Sequence, residues 1–170
     1  MKLPPRERPS ARGLRVAVVR SLFNRPVTDG LLEGALGALA EMGGREGDVA
    51  VFDLPGAFEL PLAAQAAARS RRFDAVVALG AVIEGETDHY EHVAREAAAG
   101  LAAVARDTGV PVAFGVLTVR QERQARKRAA PGPENKGAEA ARAAVMTALA
   151  LRAIGGKGRA HRAPAGRRAR

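Results

Sequence analysis

The chain has no cysteine and no tryptophan, and a single tyrosine. The missing cysteine excludes disulfides, thiolate metal sites and cysteine nucleophiles. Long apolar runs are missing too. None approaches the length of a membrane span, and the opening residues, MKLPPRERPSARG, lack the apolar middle of a secretion signal. The cytoplasm is therefore the expected location. Aromatic residues make up only 4% of the chain, so the apolar interior must come from Ala, Val and Leu. Small side chains of that kind favour close packing of helices on a sheet. The full 170 residues are enough for one domain with a sizeable core.

A net charge of +9 suggests a polyanion binder until it is divided along the chain. Residues 1–13 hold four Lys/Arg and one acid, and residues 155–170 hold six Lys/Arg and no acid. The body between them, 14–154, is neutral. The excess thus belongs to two Pro/Gly/Arg-rich tails that are expected to be disordered. Such tails touch RNA or acidic lipid without sequence specificity, or serve only solubility. With a neutral body and few aromatics to stack on bases, nucleic acid is not the expected partner.

What is present is a fourfold alternation of strand-like and helix-like runs. Residues 14–20 (LRVAVVR) read as a strand, and Pro26 stops it. A helix is predicted over 27–42, closed by Gly43 and Gly44. Residues 48–54 form a second strand, ended by Pro55-Gly56, with a helix opening at Ala57 and running to about Ser70. A third strand is predicted over 73–79, a long helix over 90–108, and a fourth strand over 111–118. Helices over 121–129 and 135–154 follow, separated by Pro131-Gly132-Pro133. This order argues for an α/β fold with a four-stranded parallel sheet covered by helices on both faces.

In an open parallel sheet, ligands collect beyond the carboxyl ends of the strands. That rule selects Phe23-Asn24, Ala57-Phe58-Glu59, the stretch from Ala81 to His89, and the region after Phe114. The third of these, entered through Gly80, combines Gly85, a threonine, three acids and a histidine ahead of a helix. Free N–H groups at a helix start suit an anion, and His89 is the side chain there whose ordinary pKa suits proton transfer near neutral pH. An ordinary strand–helix turn with a solvent-facing histidine fits the same spacing at least as well. The run Arg120, Arg123, Arg126, Lys127, Arg128 reads mainly as a solvated face; one Arg turned inward would clamp a phosphate.

Taken together, several motifs in register resemble the lumazine synthase family over residues 14–154. They are Phe23-Asn24, Pro55-Gly56-Ala57-Phe58-Glu59-Leu60-Pro61, Leu79-Gly80-Ala81-Val82-Ile83 with Gly85-Glu86-Thr87 and His89-Tyr90, Pro111-Val112-Ala113-Phe114-Gly115, Arg128, and Asn135-Lys136-Gly137. The resemblance implies a flavodoxin-like three-layer sandwich. It also implies condensation of 5-amino-6-ribitylaminouracil with 3,4-dihydroxy-2-butanone 4-phosphate, releasing water and phosphate. By the same resemblance Phe23 stacks on the pyrimidine, whose ring the backbone of Ala81, Val82 and Ile83 borders. Glu59, with the backbone of Ala57 and Phe58, grips the ribityl hydroxyls. Gly85, Glu86, Thr87 and Arg128 hold the phosphate, and His89 carries protons. Phe114, Arg128 and Lys136 come from a neighbouring subunit of a homopentamer or a multiple of pentamers.

No metal or organic cofactor is implied, and His89 and His92, with no third ligand apparent, make a poor metal site. Riboflavin synthase is the partner enzyme that the same resemblance suggests. A shell-forming paralogue with little or no synthase activity, an archaeal-type riboflavin synthase sharing the fold, and a nucleic-acid binder are the alternative readings. The sequence departs from the family pattern at Ser21, Leu22, Glu84 and Arg126. Glu84, a negative charge beside the phosphate loop, is expected to point to solvent.

Overall fold

The computed structural model describes residues 9–156. Four strands form one parallel sheet: β1 (Val16–Ser21), β2 (Val49–Leu54), β3 (Ala75–Ile83) and β4 (Val112–Val119). Their order is β2-β1-β3-β4. The helices are α1 (Arg25–Glu41), α2 (Leu60–Arg69), α3 (His89–Thr108), α4 (Glu122–Ala129) and α5 (Lys136–Ile154). A short 3-10 helix, Glu46–Asp48, precedes β2 and was not foreseen. The chain is thus the expected three-layer α/β sandwich.

Strand alternation divides the core into two layers. Val16, Val18, Val77 and Leu79 face α1, α4 and α5, whose Leu31, Ala125 and Ala141 close that layer. Ala17, Val19, Val76 and Ala78 face α2 and α3, meeting Leu60, Ala64 and Leu101. The interior is as poor in aromatics as the composition requires. Close approach follows from that. A Cβ on Gly137 of α5 would collide with the Leu31 carbonyl of α1, and one on Gly100 of α3 would stand 2.7 Å from the Pro61 ring.

Several boundaries differ from the sequence expectation, each for a local reason. β3 does not stop at Leu79. It continues through Gly80 to Ile83 because β4 pairs with it along that length, Gly80 opposite Val116 and Ile83 opposite Val119. Gly80 is no turn; it is the narrow slot beneath Leu60, whose Cδ1 would lie 3.2 Å from an added Cβ. Pro26 does not stand outside α1 but in its first turn, where the missing N–H goes unmissed. α2 begins at Leu60, so residues 57–59 are a turn rather than helix. Ala11, assigned to the basic N-terminal tail, is buried and donates its N–H to the Met42 carbonyl at 2.9 Å. Residues 1–8 and 157–170 of the two tails lie outside the described residues.

Candidate functional site

Beyond the carboxyl ends of β1, β2 and β3 lies a cavity of about 610 Å³, within the range of small-molecule sites. Phe23, residues 56–59, residues 81–83, Gly85, Thr87 and His89 line it. The turn that presents Phe23 is fixed from several sides. The Phe23 N–H donates to Ser21 Oγ at 3.2 Å and to the Pro55 carbonyl at 3.2 Å. Asn24 takes a left-handed conformation at φ 59°, which Asn tolerates better than most residues. Its side-chain amide donates to the Ala81 carbonyl at 2.9 Å, tying the turn to β3. The ring of Phe23 itself is 69% exposed and Phe58 is 57% exposed. Two aromatic faces therefore stand open at the rim.

The second wall is the turn after β2. Leu60, fully buried, anchors α2 in the α2/α3 layer. Glu59 occupies the position preceding that helix, and its carboxylate folds back over Gly56, where a Cβ would stand 2.9 Å from Oε2. The floor is the end of β3: Ala81 and Val82 are buried, and Ile83 is half-buried. Residues 84–88 turn into α3, placing His89 as its first residue. Glu86 is exposed in this turn and lies outside the cavity lining. Glu84 is half-exposed, as expected, with Arg120 Nε 3.7 Å away to offset its charge.

One turn along α3, His92 also lines the cavity, although the sequence reading gave it no role beyond a poor metal site. Arg95 Nη2 lies 3.0 Å from His92 Nδ1. A guanidinium has only donors, so Nδ1 accepts, and a neutral ring carries its hydrogen on Nε2. Asn24, Gly56, Tyr90 and Val93 complete the lining. A single sequence carries no signal for His92, since a helix start with two histidines reads equally well as solvent-facing. Among the described residues no group of three His, Asp or Glu side chains is placed to hold a metal ion, and no helix is long and apolar enough to cross a membrane.

Phe114, Arg128 and Lys136 are elsewhere. They line a separate cavity of about 420 Å³ along the unpaired edge of β4, together with Glu139. Arg128 Nη1 donates to the Gln124 carbonyl at 3.1 Å, holding the side chain back along its own helix. Lys136 donates to the Glu139 carboxylate, and that bond holds the Glu139 carboxyl below the usual carboxylate range. Phe114 is 46% exposed. Within one chain, the structure therefore gathers Phe23, residues 57–59 and 81–83, Gly85, Thr87 and His89, but keeps Phe114, Arg128 and Lys136 apart from them.

The end of α4 and the start of α5, which carry Arg128 and Lys136, are joined by Asn135, which is buried. Its Oδ1 accepts from the Ala138 N–H at 3.0 Å and so caps α5. Its Nδ2 donates to the carbonyls of Ala129 at 2.8 Å, Gly30 at 3.0 Å and Ala130 at 3.2 Å. One amide thus joins the end of α4, the start of α5 and the second turn of α1. Gly34 must lack a Cβ, because one there would strike the Asn135 side chain. In the run Asn135-Lys136-Gly137 the first residue is a rivet, the second faces the β4-edge cavity, and the third lets α5 lie against α1. A model of the family described as 6,7-dimethyl-8-ribityllumazine synthase matches residues 13–152.

Proposed function

The chain belongs to the 6,7-dimethyl-8-ribityllumazine synthase family, and on that premise we propose that it condenses 5-amino-6-ribitylaminouracil with 3,4-dihydroxy-2-butanone 4-phosphate to the lumazine. One observation carries this reading. A single cavity holds an open aromatic face, a carboxylate, a Gly/Thr turn and a histidine at the strand ends. Phe23 offers a flat apolar surface to the pyrimidine. Glu59 accepts hydrogen bonds from the ribityl hydroxyls. The turn containing Gly85, Glu86 and Thr87, with the start of α3 behind it, receives the phosphate.

The chemistry needed is proton transfer. The pyrimidine amine attacks the butanone carbonyl, water leaves to give an imine, and loss of a proton from carbon expels phosphate. The second amine then closes the ring with loss of water. His89, at the wall between the pyrimidine and phosphate ends, takes and returns the protons. The phosphate's negative charge is met by Arg128, and Lys136 and Phe114 complete the enclosure. In one chain these three lie on the β4 edge, so the working site is formed by that edge of one copy meeting the His89 cavity of the next.

Purified protein should convert the two substrates to a fluorescent lumazine. Shared sites make a sharper demand. Assayed with butanone phosphate near the wild-type KM, His89→Ala (slow turnover) and Arg128→Ala (weak phosphate binding) are each nearly inactive alone, yet co-expressed they should regain about a quarter of wild-type activity, because random neighbours reunite one intact wall from each. No recovery from mixed oligomers would overturn the shared site. No lumazine from the wild type would overturn the function.

A further inference from the structure

Arg20 is the one charged residue that is buried among those described, at 7% exposure. It is the penultimate residue of β1, where its neighbours on the strand are valine and serine. Its Nε and Nη2 donate to the two carboxylate oxygens of Asp53, both at 2.8 Å, in a parallel pair. Its remaining arm, Nη1, donates to Asp29 Oδ1 at 2.7 Å. Asp53 is its register partner on β2, and Asp29 lies in the second turn of α1. Arg25 Nε stands 3.6 Å from the other Asp29 oxygen, closing the chain of charges. One guanidinium therefore joins β1, β2 and α1.

β1 and β2 run into, and α1 runs out of, the two turns that carry the cavity's open aromatics. Phe23 sits between β1 and α1, and residues 57–59 follow β2. Both rings are more than half exposed, so their own packing does not hold them. Their placement comes from beneath, through the backbone. Past the strand ends the pairing of β1 with β2 continues as Leu22 N–H to the Leu54 carbonyl at 2.8 Å and Phe23 N–H to the Pro55 carbonyl at 3.2 Å. The Arg20–Asp53 fork lies directly below this zipper.

For stability alone the arrangement is a poor choice. A valine or isoleucine would fill the position without stripping water from a guanidinium, and the two carboxylates that pair with it are partly open to water, which screens what the pairing returns. What the fork adds is orientation: two parallel bonds fix the strand offset, and the third fixes the helix. We infer that Arg20 is a positioning residue, which sets the Phe23 turn against the turn of residues 57–59 and so fixes the gap into which the pyrimidine slides. The inference rests on the function proposed above.

Steady-state kinetics of Arg20→Met, Arg20→Lys and the double variant Arg20→Met with Asp53→Leu test it, each substrate being varied in turn. Arg20→Met should raise KM for ribitylaminouracil about tenfold while KM for butanone phosphate stays within about twofold. Arg20→Lys keeps the charge but loses the fork, and should fall between. The double variant should regain melting temperature and not KM. A parallel rise of both KM values, or a wild-type KM beside a lowered melting temperature, would reduce Arg20 to packing.

Should Arg20→Met not fold, Arg20→Lys and Asp53→Asn carry the same comparison. An inactive wild type would sink the proposed function and leave this inference to hydrogen exchange. Amides of residues 22–27 and 56–60 should then exchange faster in Arg20→Lys, with 89–92 unchanged. No change in the first two segments overturns the positioning role.

Discussion

The two cavities are opposites. The one at the strand ends is rimmed by aromatic rings and carries two histidines, with a single carboxylate. The one on the β4 edge is lined by a strand, and its charge is concentrated in Arg128, Lys136 and Glu139. The first has proton-transfer groups and flat faces but no cation in its lining; the second has cations and no group suited to proton transfer near neutral pH. An anionic substrate undergoing proton transfer needs both sets. Complementary deficits of this kind, on two surfaces of one chain, are what a site shared between copies requires.

The largest expected effect breaks the contrast on the proton-transfer side. His89→Ala should lower kcat by about 10²–10⁴-fold, as for other general acid–base groups, with KM for either substrate little changed. If kcat holds, the first cavity is a binding surface only. Next comes the charged side. Arg128→Ala should raise KM for butanone phosphate by roughly 10- to 100-fold, the loss of about 1.5–3 kcal/mol in charged hydrogen bonds. An unchanged phosphate KM would detach the β4 edge from the reaction.

A third prediction asks whether the β4 edge has its shape built in. Asn135→Ala removes the cap of α5 and leaves the carbonyls of Ala129, Gly30 and Ala130 without their donor. It should cost about 2–3 kcal/mol in chemical denaturation. A cost below about 0.5 kcal/mol would mean that the cavity does not depend on the rivet.

The smallest effect is a pH dependence. The hydrogen bond from Arg20 lowers the Asp53 carboxyl, and that from Lys136 lowers Glu139. A carboxyl lowered in the folded state contributes stability that is full above its unfolded value of about 4 and is lost as pH falls through the lower folded value. Wild-type protein should therefore lose stability on acidification below about pH 4. Arg20→Met should flatten the part of that slope due to Asp53, and a slope unchanged in the variant would remove Asp53 from the acid transition. Both carboxylates are partly open to water, so the change is slight.

Much of this contrast was legible in the sequence, and the reasons for the gaps are physical. Alternating apolar runs and turn residues reveal the parallel sheet, and the strand-end rule alone selects Phe23, Glu59 and His89. Gly80 misled because a glycine after an apolar run looks like a turn, whereas here it marks the close passage of Leu60 over β3. Nothing local told that Arg20 was buried. Its partners stand 33 and 9 residues away, and only the register of β1 with β2 and the packing of α1 make them neighbours. Spacing was equally silent on which cavity Arg128 faces; resemblance alone placed it on a second subunit.

The alanine-rich interior has one further consequence. Alanine has no side-chain torsion to freeze and valine only one, so ordering this core sacrifices little rotamer entropy. Shaving such a residue exposes scant volume, while enlarging it has nowhere to go, because α1 and α5 already meet backbone to backbone at Gly137. Tolerance to change in this protein should therefore be lopsided. At the alanine positions, variants that shrink the side chain would cost less than those that enlarge it, which would pry the layers apart.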